Sequence, residues 1–498
     1  MKKAVKNIIS SYQFRFLFLF FIVWLILQYL FIPDADDFRW GSQYGVDMLK
    51  NGFDIAGNNR FFSNLLIVFF ARFLIPKAIF YALIMTGIYY LIVEFTSKSK
   101  LMYSLTAFLI FTVSPGIFID SLVVASFFMN YGLSLLFVLF YLHFAKSCFT
   151  KPSKKLTAAA LVFAFPAQLV LETASIYLVV LSFLCLALYF YKKRKVTLPL
   201  LAWCILSILG FIVLMAGSKS QATGHAYRRM ALPWVDYSNN NVLRGYLPDT
   251  CMSILKELKM LGIVPVAIIS ILLIVMIVKL NIKKSKSAFL IACILGYNVL
   301  FPLVIVSIYF FSDTIPSYSL TAYTIAFFEV FVSIAFVALS FYIFNICIKD
   351  KRLKQGIFFL LGSMLIVILP LMFIYPTGPR NLLLVAVFII MMINSLLEYM
   401  IDQGLIKISI KKISLTALTG FLIVACGYSA IYGVIHYKFW KRQEYIEAQA
   451  AQGSKIIYAE RLPLGYFTHF PNPTDPLYAN SFNVYFKLDE NIIFTEVH

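Results

Sequence analysis

The stretch FRFLFLFFIVWLILQYLFI, residues 14–32, is followed at once by PDADDFRW, residues 33–40. About 20 apolar residues, with about 1.5 Å of rise each, cross the roughly 30 Å hydrocarbon core of a bilayer. Residues 14–32 therefore predict a transmembrane helix. Asp34, Asp36 and Asp37 stand directly at its end, in a chain with only 23 acidic residues among 498. Three carboxylates at one membrane surface make this turn the first candidate for a functional site.

Composition extends the membrane prediction to the whole chain. Hydrophobic residues make up 61% and charged residues 13%, against roughly 25% charged in ordinary soluble domains. We predict an all-α polytopic membrane protein in contact with a lipid bilayer. The net charge of +20 lies in short Lys and Arg clusters between apolar runs, as topology signals do, so no nucleic-acid binding is expected. Seven scattered cysteines indicate neither a disulfide framework nor a zinc site.

Basic loops stay in the cytoplasm, so an even number of crossings must separate successive basic clusters. This rule predicts thirteen helices in a plasma membrane, with a retained first span and a cytoplasmic N-terminus. The tail from His436 onward is expected outside the cytoplasm. The predicted spans lie at about residues 14–32, 78–96, 101–119, 127–144, 156–171, 173–191, 196–216, 261–279, 288–311, 319–348, 356–374, 382–400 and 413–435.

The expected organisation is one large membrane domain and one small one. Residues 1–435 form the large domain, with a first outer loop at 33–77 and a large outer loop at 217–260. The apolar segment 60–75 predicts an interfacial helix on the outer leaflet, because counting it as a span would reverse every later basic loop. Residues 436–498 form a small extracytoplasmic α+β domain.

The tail is mixed in composition and rich in proline. Residues 454–459 and 480–486 predict short strands or docked extended segments. About 60 residues make only a marginal core alone. We therefore expect the tail to fold as a cap over an outer site.

The aspartate cluster supports two interpretations. In the first it is an acidic turn, with Asp37 capping a helix that starts near Phe38. In the second, a carboxylate accepts a proton from an incoming hydroxyl group, and adjacent carboxylates raise each other's pKa. A divalent cation, Mg²⁺ or Mn²⁺, held by a neighbouring acid is left open. No other cofactor is indicated.

Two further charges belong to the same predicted outer side. Arg60 follows Asn59 at the start of the interfacial helix, either as a membrane anchor or as a phosphate ligand beside a helix N-terminus. Glu172 lies between two apolar runs, where a carboxylate is by default a functional candidate. A solvated turn is the alternative for Glu172.

Arginines also occur in outer loops, where the positive-inside rule does not explain them. Arg228 and Arg229 follow His225 in the large loop, and Arg380 opens a span after Gly378-Pro379. An anionic partner such as a phosphate would account for them, and solvated loop charges are the alternative. His225 has no second ligand at useful spacing, which favours a plain loop residue. No nucleotide-binding motif is present, so a nucleotide-driven reaction on the inner face is not expected.

The order of these acids and arginines along the chain, and their predicted place on the outer side, resemble those of the GT-C class of integral-membrane glycosyltransferases. The nearest likeness is to the bacterial branch of O-antigen glucosyltransferases and cell-surface polysaccharide transferases. The resemblance covers most of the chain, tail included, through short motifs. These are Asp36-Asp37 after the first span, Asn59-Arg60, Glu172-Thr173, Arg228 or Arg229, and Gly378-Pro-Arg380.

The resemblance implies a GT-C-like bundle that transfers a sugar from a polyprenyl-phosphate donor, with inversion. The acceptor would be a hydroxyl of a cell-envelope glycan or lipid-linked molecule outside the cytoplasm. Asp36 or Asp37 would be the base, and Arg228, Arg229 and Arg380 would hold the lipid phosphate. The other expected substrate-binding residues are Asp34, Asn59, Arg60, Glu172 and His225. The sequence GSKSQATG at 217–224 replaces the family's Pro-Gly turn, which leaves the choice between Arg228 and Arg229 open.

Three other classes remain as alternatives. A transporter or flippase of lipid-linked saccharides would need midplane charges and paired repeats, and the sequence offers Glu329 and no convincing repeat. A polysaccharide polymerase would rely on arginine-rich outer loops instead of a first-loop acid. A scaffolding protein would have no reason to gather acids and arginines on one face.

Overall fold

The structure is a computed structural model that describes residues 11–52, 59–218, 263–279, 286–297, 320–371, 378–406, 409–469, 471–475, 478–489 and 491–497. Helices dominate these residues. Eight of the helices are long and apolar enough to cross a membrane, or nine if one broken pair counts as a single span. The chain is thus an all-α polytopic membrane protein. The number of thirteen spans stays a prediction.

The helices are α1 (Tyr12–Leu30), α2 (Asp36–Trp40), α3 (Gln43–Lys50), α4 (Phe61–Phe70), α5 (Leu74–Glu94), α6 (Lys100–Phe111), α7 (Pro115–Phe118), α8 (Ala125–Phe149), α9 (Lys154–Ala164), α10 (Glu172–Lys193), α11 (Leu198–Ser218), α12 (Ile263–Lys279), α13 (Lys286–Tyr297), α14 (Leu320–Cys347), α15 (Lys351–Leu371), α16 (Leu383–Asp402), α17 (Ile410–Ala451) and α18 (Ala479–Tyr485). The strands are β1 (Ile456–Glu460) and β2 (Ile493–Val497), which pair in parallel. The eight long apolar helices are α1, α5, α8, α10, α11, α15, α16 and α17.

Prolines divide two of the predicted spans. The span at 101–119 consists of α6 and α7, because Pro115 lacks an N–H and disfavours helical geometry at the residue before it. The span at 156–171 is the eleven-residue helix α9, followed at Pro166 by a 3₁₀ turn. The segment 60–75 contains the ten-residue helix α4, too short to cross a bilayer.

The tail differs from the prediction at two points. Helix α17 does not end near residue 435 but continues to Ala451. Residues 480–486, expected to be extended, lie mostly in α18. Phe482 and Phe486 lie one helical turn apart there and pack together with ring centroids 4.7 Å apart, which a helix allows and a strand does not. The predicted strand at 454–459 is present as β1.

The structure divides into two compact units. Unit 1 comprises residues 1–95, 115–226 and 418–498, and aromatic stacking joins its helices. Phe20 of α1 stacks on Tyr89 of α5 with centroids 4.2 Å apart, and Tyr81 of α5 stacks on Phe128 of α8 at 4.3 Å. This packing brings the start of α8 against the end of α1 and the loop that follows it.

Unit 2 comprises residues 96–114 and 227–417. Its most buried long helix is α16, which packs against α6, α12 and α15. The Asn394 side chain of α16 donates a hydrogen bond to the Thr106 hydroxyl of α6 at 2.7 Å. Glu398 accepts the backbone N–H of Ser97 at 3.0 Å.

Candidate functional site

The turn after α1 holds its three aspartates in different surroundings. Between them, Ala35 has φ 49° and ψ −122°, a conformation that costs a non-glycine residue about 1–3 kcal/mol. Its side chain is fully buried against Val124 and Phe127. Because packing fixes this strained residue, the directions of Asp34, Asp36 and Asp37 are fixed as well.

Asp37 binds the N-terminus of a distant helix. Its two carboxylate oxygens accept the backbone N–H groups of Ala125 at 3.0 Å and Ser126 at 2.8 Å. Helix α8 has no capping side chain of its own at Val124, so the carboxylate satisfies amides that would otherwise lack partners. Asp37 is 2% exposed, and an incoming hydroxyl group would have no access to it.

A buried lysine accompanies this carboxylate. Lys77 of α5 is 5% exposed, and its ammonium group donates to the carbonyl of Phe31 at 3.4 Å. Burial raises the pKa of Asp37, while the attraction of Lys77 and the two amide hydrogen bonds oppose that rise. The cause is therefore burial, and not the neighbouring acids that the sequence suggested. Nearby, the Tyr81 hydroxyl donates to the carbonyl of Ala125 at 3.0 Å.

Asp34 connects the turn to the C-terminal tail. It is 1% exposed, and its Oδ2 accepts the backbone N–H of His469 at 2.7 Å. The His469 ring lies 3.6 Å from a carboxylate oxygen of Asp120 and makes an edge contact with Phe127 at 5.4 Å. Asp34 therefore fixes the position of the tail.

Asp36 is the partly exposed member of the three. The hydroxyl of Tyr478, from the tail, donates to its Oδ1 at 3.3 Å. Tyr478 packs against the buried cluster of Ala35, Val124 and Phe127. Of the three aspartates, Asp36 alone is not fully buried.

An ion pair joins Arg60 to Glu172, and the charge of Asp36 acts on Arg60. Arg60 Nε lies 3.0 and 3.1 Å from the two carboxylate oxygens of Glu172, and Arg60 Nη2 lies 2.5 Å from Oε2. The side chains are 12% and 19% exposed. Burial lowers the pKa of Arg60, but Glu172, together with smaller contributions from Tyr131 and Asp36, offsets this and leaves the pKa raised. The two predicted residues are thus brought together, from segments far apart in sequence.

The scaffold of this pair is polar as well. Ser63, in the first turn of α4, donates to Asn130 Oδ1 of α8 at 2.8 Å. Its hydroxyl also lies 3.3 Å from the carbonyl of Val170, just before Glu172. These contacts hold the start of α4 and the start of α10 beside α8. The two charged groups, Arg60 and Glu172, therefore share a hydrogen-bonded support on α8.

Other predicted site residues have different places. The Asn59 side chain donates to the carbonyl of Val213 in α11 at 2.7 Å, so it anchors the loop. Arg380 lies in a 3₁₀ turn just before α16, within unit 2. His225, Arg228 and Arg229 lie outside the described residues. Among the residues that are described, no group of three or more His, Cys, Asp or Glu side chains could hold a metal ion.

Sequence reasoning missed Lys77, Tyr478 and His469. A signal for Lys77 does exist in the sequence, because a lysine at the start of a span next to an acidic loop is unusual. His469 and Tyr478 lie in the tail, 435 and 442 positions from Asp34 and Asp36. No local pattern in the sequence connects them to these acids.

Comparison of the chain with protein-family models, with curated proteins and with solved structures gives no match. Inference about its activity therefore depends on the residues and their geometry.

Proposed function

We propose that the chain is a membrane glycosyltransferase with Asp36 as its catalytic base. It would move a sugar from a polyprenyl-phosphate donor to a hydroxyl of a cell-envelope glycan or lipid-linked acceptor, on the extracytoplasmic face of the plasma membrane. One observation supports this most strongly. Asp36 is a partly exposed residue in a turn fixed by packing, and its charge acts on Arg60 of the Arg60–Glu172 pair, while Asp34 and Asp37 are buried and bound to backbone amides.

The proposed reaction is a single displacement at the anomeric carbon. Asp36 takes the proton of the acceptor hydroxyl as that oxygen bonds to the sugar. The bond from the sugar to the phosphate oxygen breaks, and its electron pair leaves on the polyprenyl phosphate. Attack from the side opposite the phosphate inverts the configuration. The proton on Asp36 then passes to water, which restores the enzyme.

The remaining charges have supporting roles in this proposal. Glu172 holds the Arg60 guanidinium by a bidentate contact, which fixes a cation near the base. Phosphate binding by Arg228 or Arg229, together with Arg380, stays a prediction from the sequence, since Arg380 belongs to unit 2 and the other two lie outside the described residues. A divalent cation, Mg²⁺ or Mn²⁺, would assist departure of the phosphate by offsetting its charge. No step above depends on that cation.

The surroundings of the two candidate bases support Asp36 over Asp37. Both oxygens of Asp37 are engaged by the N-terminus of α8, so this residue supports the fold. Asp36 is partly exposed, and its Oδ1 accepts the Tyr478 hydroxyl. The proposal is therefore narrower than the sequence allowed, since it assigns proton transfer to Asp36 alone.

Sugar transfer in nanodiscs tests this assignment. The assay supplies polyprenyl-phosphate glucose, galactose or mannose with a radiolabelled sugar, and a cell-envelope glycan extract as acceptor. We expect Asp36→Asn to lower the transfer rate by about 10²- to 10⁴-fold, the usual contribution of general base catalysis, with unchanged expression and melting temperature. Asp47→Asn, which removes an exposed carboxylate from the same loop, is the matched control and should keep full activity.

Two outcomes would contradict the proposal. Full sugar transfer by the Asp36→Asn variant would show that Asp36 is not the base and would contradict the proposed mechanism. Movement of an intact lipid-linked sugar across the bilayer, without transfer to any acceptor, would identify a flippase instead.

A further inference from the structure

The C-terminal tail reaches the candidate base through one side chain. The Tyr478 hydroxyl donates to Asp36 Oδ1 at 3.3 Å, although the two residues are 442 positions apart in sequence. Burial raises the pKa of Tyr478 first, and the carboxylates of Asp36, Asp34 and Asp475 raise it further. The phenol is therefore protonated at neutral pH and can only donate to a carboxylate.

Independent contacts hold the tail in this position. His469 donates its backbone N–H to Asp34 and lies beside Asp120. On the other side, the ring of Phe38 packs edge-on against Phe482 of α18 with centroids 5.1 Å apart. The turn that carries Tyr478 is thus fixed both before and after that residue.

A second tyrosine of the tail provides an internal comparison. The hydroxyl of Tyr485 donates to the backbone carbonyl of Ala71 at 3.3 Å, and its ring packs against Phe38 at 5.6 Å. Tyr485 joins the tail to the first outer loop in the same way as Tyr478 but does not bond to a carboxylate of the turn. Comparing variants of Tyr478 and Tyr485 therefore distinguishes loss of tail docking from a direct effect on Asp36.

We propose that Tyr478 is a positioning residue for the catalytic base and that the tail thereby completes the active site. This rests on the proposed function. By bonding to Oδ1 of Asp36, the hydroxyl fixes the plane of the carboxylate and leaves Oδ2 to take the proton of the acceptor. A freely rotating carboxylate would spend only part of its time in that orientation, so the bond raises the rate of proton transfer.

The test measures kcat and KM for the acceptor, with the radiolabelled polyprenyl-phosphate hexoses as donors and the full-length protein in nanodiscs. We expect Tyr478→Phe to lower kcat about tenfold, as for loss of a hydrogen bond to a charged group, with KM for the acceptor within twofold. Tyr485→Phe should keep kcat within about twofold. In the Asp36→Asn background, Tyr478→Phe should lower the residual rate no further, because its partner is already changed.

Each other result overturns the inference. Wild-type kcat in Tyr478→Phe would show that the hydroxyl has no role. Equal losses in Tyr478→Phe and Tyr485→Phe would assign both residues to docking of the tail. Should Tyr478→Phe fold poorly, Tyr478→His, which retains a ring N–H donor, is compared with Tyr478→Leu, and equal activity of the two contradicts the inference.

The proposed function fails separately from this inference. Full activity of Asp36→Asn removes both proposals. Loss of activity in Asp36→Asn together with normal kcat in Tyr478→Phe removes only the role of Tyr478.

Discussion

The two units bury different kinds of polar group. Among the described residues, the charged side chains that are buried are Asp34, Asp37, Lys77 and Arg442, and all four belong to unit 1. The buried polar side chains in the described part of unit 2 are uncharged Ser, Thr and Asn residues.

A buried charge costs several kcal/mol unless it is paired and hydrogen-bonded, whereas a neutral hydrogen bond within a membrane protein contributes about 0.6 kcal/mol on average. The buried charges of unit 1 therefore cost more free energy to keep than the neutral hydrogen bonds of unit 2. Costly groups of this kind mark functional regions of membrane proteins. We therefore expect the proposed chemistry to lie in unit 1, where Asp34 and Asp37 flank Asp36 in the turn.

The largest effect on stability is expected at Asp37. In Asp37→Asn, the amide offers one acceptor where two backbone N–H groups need one each, and Lys77 loses the attraction of the carboxylate. We expect the free energy of unfolding to fall by about 3 kcal/mol, measured by denaturant titration in bicelles. The double change Asp37→Asn with Lys77→Met should recover part of this loss.

Asp47→Asn is the control for this prediction. Its carboxylate is exposed and pairs with Lys50 at 4.0 Å, so its removal should change stability by less than about 0.5 kcal/mol. If Asp37→Asn were as mild as Asp47→Asn, the buried charges of unit 1 would not be supporting the fold, and the comparison between the units would fail.

A smaller loss is expected at the Arg60–Glu172 pair, because it is partly exposed. Glu172→Gln leaves the guanidinium without its carboxylate, and we expect about 2 kcal/mol of destabilisation after allowing for screening by solvent. Sugar transfer should also fall, since Arg60 lies beside Asp36. A double-mutant cycle with Arg60→Gln should show coupling of about 1–2 kcal/mol. Additive effects in that cycle would mean that the pair adds no stability of its own.

Much of the fold follows from local sequence. Apolar length places the long helices, including α1 where residues 14–32 predicted a span. The two divided spans also have a local cause, namely Pro115 and Pro166, whose effect on a helix was underweighted. The helical form of residues 480–486 has a tertiary cause instead, since Phe38 of a distant loop packs against Phe482.

The site was predictable only in part. The three aspartates, Arg60 and Glu172 can be recognised as candidates from their positions, because a charged residue at the end of an apolar run is unusual. Which aspartate is accessible could not be derived, since the answer depends on α8 beginning at Ala125 with no capping side chain at Val124. The roles of Lys77 and Tyr478 likewise depend on long-range packing.

The smallest effect is expected in unit 2, at the neutral pair of Asn394 and Thr106. Asn394 is fully buried, and its side-chain oxygen has no hydrogen-bond partner among the described residues. Asn394→Leu removes that oxygen together with the bond to Thr106, so the gain and the loss nearly cancel. We expect a change in unfolding free energy within about 1 kcal/mol and unchanged sugar transfer, with Thr106→Val as the matched variant. A loss as large as that of Asp37→Asn would show that neutral contacts in unit 2 matter as much as buried charges in unit 1, and the functional distinction between the units would have no energetic basis.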